Sequence, residues 1–337
     1  MTITHRAVQT NGIAMHVAEA GEGPLVVLCH GFPELWYSWR HQIDALAGAG
    51  YHVIAPDMRG YGQTERPEAV EAYDIIQLSD DMLGLLDAVG EERAVFVGHD
   101  WGAPVVWMLA QTAPERVRGV AGLSVPFSPR GEHDTISTLE FLFGDNFFYM
   151  LYFQELGIAD ADLDADVQDT LRRIVWAWTY QSDRDVAVLM RPLPKATTGL
   201  REWLPQPGGL PSWLSEEDFA YYVGEFTRTG FTGGLNWYRN LRRNWEITEN
   251  LADVKITVPA MFLTGDQDPV KLFLPGTDMA EWVTDLRSFI NVPEAGHWVQ
   301  RERPNVAAPT RARTSRTRGS TRRGARATRR RGRSAPD

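Results

Sequence analysis

The sequence predicts an α/β protein with a mostly parallel sheet, helices on both faces and an inserted helical lid. Three observations carry this. Strand-like and helix-like segments alternate from residue 13 to residue 123, the pattern of parallel strands joined by crossover helices. Pro24–Cys29 is an unbroken apolar run, as in a strand covered on both faces. The alternation then lapses over residues 131–245 and resumes after them.

The opening reads as a hairpin. His5–Gln9 and Ile13–Glu19 flank Asn11-Gly12, a pair suited to the two left-handed positions of a type I′ turn. After the strand Pro24–Cys29, Trp36–Leu46 has helical spacing, with Trp36, Trp39, Ile43 and Leu46 on one side. Tyr51–Ala55 is the next strand and Ile75–Val89 the next helix. Ala94–Gly98, Ala103–Gln111 and Val117–Leu123 follow as strand, helix and strand. Residues 131–245 show helical and loop segments and hold six of the 12 tryptophans. Val258–Thr264 and Leu286–Val292 restore the strand pattern. The expected organisation is therefore a core of residues 1–130 plus 246–306, a lid of 131–245, and a tail of 307–337.

Charge separates the tail from the rest. Residues 307–337 hold 11 Arg and one acidic residue, a charge of +10, while the remainder has 23 basic and 43 acidic residues, a charge of −20. An acidic body is a poor nucleic-acid surface. The tail lacks Leu, Ile, Val, Phe, Trp and Tyr, so it buries no apolar face and is expected to be disordered. Its composition fits an out-of-frame reading of a GC-rich gene end better than it fits a polyanion-binding arm. No apolar run approaches the roughly 18 residues of a membrane helix, and the start has no secretory pattern. The single cysteine, Cys29, excludes an internal disulfide and points to a reducing, cytoplasmic setting.

Gly98-His99-Asp100-Trp101-Gly102 follows a strand and precedes a helix, the context of a nucleophile elbow. Asp100 stands where a serine hydrolase has its Ser. A carboxylate attacks saturated carbon and forms an alkyl ester whose carbonyl belongs to the enzyme. The competing reading is a helix-capping Asp at a tight turn. An acid and then a His follow in the order such a triad requires. Asp268 comes just after the strand Val258–Thr264, and His297 just after Leu286–Val292, both at carboxyl ends of strands where open sheets build sites. Asp266 rivals Asp268 as the acid. His30-Gly31-Phe32-Pro33 follows a strand and is similar to loops that supply an oxyanion-hole amide, which makes the backbone N–H groups of Phe32 and Trp101 the expected donors. No metal-ligand spacing or phosphate-cradling glycine loop is present, so no metal or organic cofactor is expected.

Six motifs in order resemble the epoxide hydrolases of the α/β-hydrolase fold: HGFPE (His30–Glu34), GHDWG (Gly98–Gly102), YFQELG (Tyr152–Gly157), LNWYRN (Leu235–Asn240), GDQDPV (Gly265–Val270) and GHW (Gly296–Trp298). The resemblance spans roughly residues 1–306. It implies a lid with two tyrosines that hold the epoxide oxygen, matched by Tyr149 and Tyr238, with Tyr152 as the alternative to Tyr149. It implies Asp100 as nucleophile, His297 oriented by Asp268 as base, and a vicinal diol as product. Trp101, Trp237 and Trp298 adjoin these positions, so an apolar or aromatic epoxide is expected, with Trp101, Tyr149, Tyr238 and Trp298 contacting it. The family continues past Gly-His-Trp with an amphipathic helix, which the basic tail replaces here. Two other readings stay open: a haloalkane dehalogenase using the same Asp, and a polyanion-binding protein acting through the tail.

Overall fold

The computed structural model describes residues 2–180 and 192–307. Eight strands form one sheet in the order β1-β2-β4-β3-β5-β6-β7-β8. They are β1 Thr4–Thr10, β2 Ile13–Ala20, β3 Leu25–Cys29, β4 His52–Pro56, β5 Ala94–His99, β6 Val117–Leu123, β7 Ala260–Gly265 and β8 Leu286–Val292. β1 pairs antiparallel with β2, and β2 antiparallel with β4; every other pairing is parallel. Asn11 and Gly12 both have positive φ, as the predicted hairpin turn requires.

The helices of the core are α1 Arg40–Gly48, α2 Ile75–Val89 and α3 Gly102–Thr112. Asp74 caps α2 by accepting from the Ile76 and Gln77 amides. Gly90 ends the helix in the left-handed conformation, which satisfies its last carbonyls. Two predicted elements shift. Trp36–Trp39 is a 3-10 turn that precedes α1, and the tighter winding brings positions i and i+3 into line, so both Trp36 and Trp39 are buried. β7 starts at Ala260 rather than Val258 because Pro259 has no N–H for the ladder; its carbonyl instead accepts from Val120 at 2.9 Å.

Between β6 and β7 the described residues form helices and no strand: α4 Thr135–Phe143, α5 Tyr149–Tyr152, α6 Ile158–Asp164, α7 Val167–Trp178, α8 Leu200–Trp203, α9 Glu216–Thr229, α10 Thr232–Arg239 and α11 Leu241–Ile247. They share one apolar core with a sheet face, in which Phe96, Phe153, Leu163, Trp203, Phe231 and Trp237 are fully buried. The backbones of the two layers meet at a glycine pair. A Cβ on Gly233 of α10 would lie 2.1 Å from the Gly60 carbonyl oxygen, so no larger residue fits there without movement. Arg301 adds a polar tie, its guanidinium stacking over Trp213 and Tyr222 at 4.5 and 4.7 Å. After β7 come α12 Met279–Trp282, α13 Val299–Glu302 and α14 Pro304–Ala307. The expected disordered tail, residues 307–337, lies outside the described residues except for Ala307.

Candidate active site

The turn between β5 and α3 places Asp100 at the carboxyl end of a central strand with φ +49°, a left-handed conformation that costs energy for any residue with a side chain. Its two glycines have no alternative. A Cβ on Gly98 would sit 2.1 Å from the Gly102 oxygen, and one on Gly102 the same distance from the Cys29 oxygen. The turn holds the Asp100 carboxylate up and away from α3. Asp100 therefore does not cap α3, whose N-terminus has no side-chain cap.

Two groups reach the carboxylate. The Phe32 amide donates to Asp100 Oδ1 at 2.7 Å. His297 Nε2 lies 3.4 Å from Oδ2. The Trp101 amide belongs to the same corner: a Cβ on Gly31 would meet Asp100 Oδ1 at 2.3 Å and Trp101 N at 2.6 Å. Behind His297, both oxygens of Asp268 stand 3.2 Å from Nδ1. Asp268 also accepts from the Val270 amide at 2.9 Å and is buried. Asp266 is exposed, and its Oδ1 accepts from the Ala295 amide at 3.4 Å. The geometry thus separates the two aspartates that the sequence left as rivals.

Burial disfavours the charged imidazolium of His297, but Asp268 and Asp100 together outweigh it and raise its pKa to about 10. Burial likewise opposes ionisation of Asp268, but His297 and the Val270 amide hold its carboxyl below the usual range.

The backbone of His297 is fixed on both sides. Its amide donates to the Trp178 carbonyl at 2.9 Å. Its own carbonyl accepts from His99 Nε2 at 2.8 Å and from Ser124 Oγ at 2.7 Å. His99 in turn meets Glu34 at 2.6 Å, and Arg301 lies 3.8 Å from Glu34. Burial works against the Glu34 anion, but His99 and Arg301 prevail and lower its pKa to about 2. Sequence reading missed this buried cluster, although Glu34 and His99 both fall inside quoted motifs.

The opposite wall is aromatic. Tyr149 of α5 and Tyr238 of α10 stand edge to face, ring centroids 6.0 Å apart. Both line a cavity together with Asp100, His297, Phe32 and Trp298. Burial, then the Asp100 charge, pushes both phenols well above their ordinary pKa, so their hydroxyls keep their protons at neutral pH. Tyr152 turns away, its hydroxyl donating to Asp162 at 3.1 Å, and does not line the cavity. Trp298 lines the cavity while its Nε1 donates to the Val175 carbonyl at 2.9 Å. The Trp101 ring borders a second, wider space that also reaches Asp100, Tyr149 and Tyr238. Trp237 lines neither; it is fully buried and donates to the Arg59 carbonyl at 3.1 Å. Phe153, Ile174, Trp178 and Leu200 also line the first cavity. Phe153 falls inside a quoted motif; nothing in the local sequence of the other three distinguished them from ordinary packing residues.

A carboxylate at a strained turn held by a backbone amide, an imidazole backed by a second carboxylate and two protonated phenols can together open a strained ring and then hydrolyse an ester. Comparisons agree with that chemistry. Residues 24–304 match the alpha/beta hydrolase fold family. The chain is 54% identical to epoxide hydrolase A of Mycobacterium tuberculosis over 89% of its own length and 94% of that protein. It is 40% identical to bifunctional epoxide hydrolase 2 of Sus scrofa over 87% of its length, but spans only about half of that relative, 51%. The crystal structure of epoxide hydrolase A from Mycobacterium thermoresistibile superposes with a TM-score of 0.86 at 54% identity, covering 91% of this chain and 96% of that one.

Proposed function

Because this chain belongs to the alpha/beta hydrolase fold family and, within it, to the epoxide hydrolases, we propose that it converts epoxides to vicinal diols through an ester on Asp100. The observation that carries this reading is the placement of Asp100 and His297 across one cavity from Tyr149 and Tyr238. We further propose that residues 131–245 act as the lid over a core of 1–130 and 246–306. The aromatic lining favours an apolar or aromatic epoxide. The single buried thiol, Cys29, fits a reducing, cytoplasmic setting.

Tyr149 and Tyr238 hydrogen-bond the epoxide oxygen, and one gives it a proton as the ring opens. Asp100 attacks the ring carbon from the opposite side. The products are an alkyl ester of Asp100, a new hydroxyl and a tyrosinate. Esterification also removes the negative charge 3.4 Å from His297 Nε2, and with it one of the causes that held the imidazole protonated. His297 then loses its proton, which restores the tyrosine. The free imidazole now takes a proton from water, and the hydroxide attacks the Asp100 carbonyl. The Phe32 and Trp101 amides stabilise the oxyanion, an effect worth about 2.7–4 kcal/mol per donor in comparable sites. Collapse of the tetrahedral species releases the diol and regenerates the Asp100 carboxylate and the His297 imidazolium.

A single turnover in heavy-oxygen water with enzyme in excess tests the two-step route. The expected result is a mostly unlabelled diol and a label on Asp100. A diol labelled in its first turnover means that water attacks the ring directly, and Asp100 is then not the nucleophile.

A further inference from the structure

We propose that Arg130 is a specificity-determining residue that binds an anionic group at the far end of an elongated epoxide. The proposal rests on the epoxide hydrolase reading and concerns the second, wider arm of the site. That arm is lined by Asp100, Tyr149 and Tyr238, by residues of α3 and by Arg130. Its walls are mainly apolar, with Trp107, Met108, Phe127, Leu241 and Leu251 along it. On α3 the lining positions extend from Pro104 to Gln111, which at the helical rise is about 10 Å. An alkyl chain attached to an epoxide at Asp100 would lie between these walls, in the same space that Arg130 lines.

The guanidinium is held in place and left available. Arg130 Nε donates to the Trp245 carbonyl at 3.3 Å, and the Trp245 indole donates back to the Gly131 carbonyl at 2.9 Å. The charged plane stacks 3.8 Å above the Trp245 ring. Nearby arginines are neutralised: Arg242 by Asp134 and Glu140 at 3.5 Å each, Arg243 by Asp74 at 3.0 Å. Arg130 has no carboxylate partner among the described residues. Its fork of donors matches a carboxylate, and its stacked position removes much of the entropy cost of ordering the side chain. The acidic body would by itself repel such a substrate, but distant charges are screened beyond about 8–10 Å, so the local arginine decides.

The test compares ω-carboxyalkyl epoxides of increasing chain length with their methyl esters. Wild type is expected to favour the acid in kcat/KM, chiefly through KM, once the chain is long enough to reach Arg130. Arg130→Gln should lower the acid-to-ester ratio by about 10–100-fold, the scale of a charge-assisted hydrogen bond, and Arg130→Lys should keep part of it. In wild type, long alkyl carboxylates without an epoxide should inhibit more strongly than their methyl esters, which needs no variant to fold. An acid-to-ester ratio that is independent of chain length, or unchanged in Arg130→Gln, overturns the proposal. Absence of diol from both series and from a short aryl epoxide overturns the epoxide hydrolase reading instead.

Discussion

The floor and the roof of the cavity are built by different forces. On the floor, every reactive group is set by hydrogen bonds: Asp100 by the Phe32 amide, His297 by Asp268, and the His297 backbone by Trp178, His99 and Ser124. On the roof, Tyr149 and Tyr238 are placed by aromatic packing. Tyr149 leans against Trp203 and Phe153, with centroids 5.8 and 5.5 Å away, and Tyr238 against Phe32 and Trp101 at 5.5 and 5.1 Å. In the proposed mechanism the floor holds charges that change during the reaction, and directional bonds fix them while the charge moves. The roof in that mechanism presents hydroxyls to a substrate, and packing positions a ring without consuming its polar end.

If this contrast is right, damage to the floor should stop defined chemical steps, whereas damage to the roof should slow one of them. Asp100→Ala should abolish diol formation, a loss of more than about 10⁴-fold, with no covalent adduct by mass spectrometry. His297→Gln should form the ester and fail to hydrolyse it. The expected readout is a mass increase equal to the substrate on the peptide carrying Asp100; steady turnover without an adduct would remove His297 from the second step.

Roof variants come next in size. Tyr149→Phe and Tyr238→Phe should each slow ester formation by about 10²–10³-fold, measured by pre-steady-state quenching, and the double variant should be nearly inactive. Ring packing survives these changes, so thermal stability should move little. A large drop in melting temperature in either variant would mean that the hydroxyl is structural and the contrast misplaced.

A smaller effect probes the coupling between the two steps. Asp100→Asn removes the negative charge beside His297 Nε2, so the imidazolium loses a stabilising partner and its pKa should fall below the native value of about 10. NMR titration of the ring measures this directly. An unchanged value would show that Asp268 alone sets the His297 proton, and that ester formation does not prepare the base. The smallest effect is expected from deleting residues 308–337. Every assigned group precedes them, so turnover per folded molecule should match the full chain; a large loss with folding intact would place the tail at the site.

Much of the floor was legible because its residues are bound to local punctuation. Asp100 lies between two glycines after an apolar strand, and Asp268 and His297 each follow a strand end. The roof was harder. Tyr149 and Tyr152 lie three positions apart in one short helical turn, so spacing does not rank them; Asp162, ten residues downstream, draws Tyr152 away. Trp237 shows the opposite failure. It adjoins Tyr238 in sequence, yet successive helical positions point about 100° apart, and its ring enters the core.

Composition and local pattern alone determined the α/β class, the strand sequence, the break in alternation over residues 131–245 and the elbow, because each is written in contiguous residues. Tertiary structure decided which of two aspartates backs His297 and which of two tyrosines faces Asp100. It also joined Glu34, His99 and Arg301 beneath the site and placed Arg130 on the wide arm with no carboxylate partner among the described residues. Each of those outcomes depends on contacts between segments tens to hundreds of residues apart. Burial and charge pairing act through space, and no local spacing encodes them.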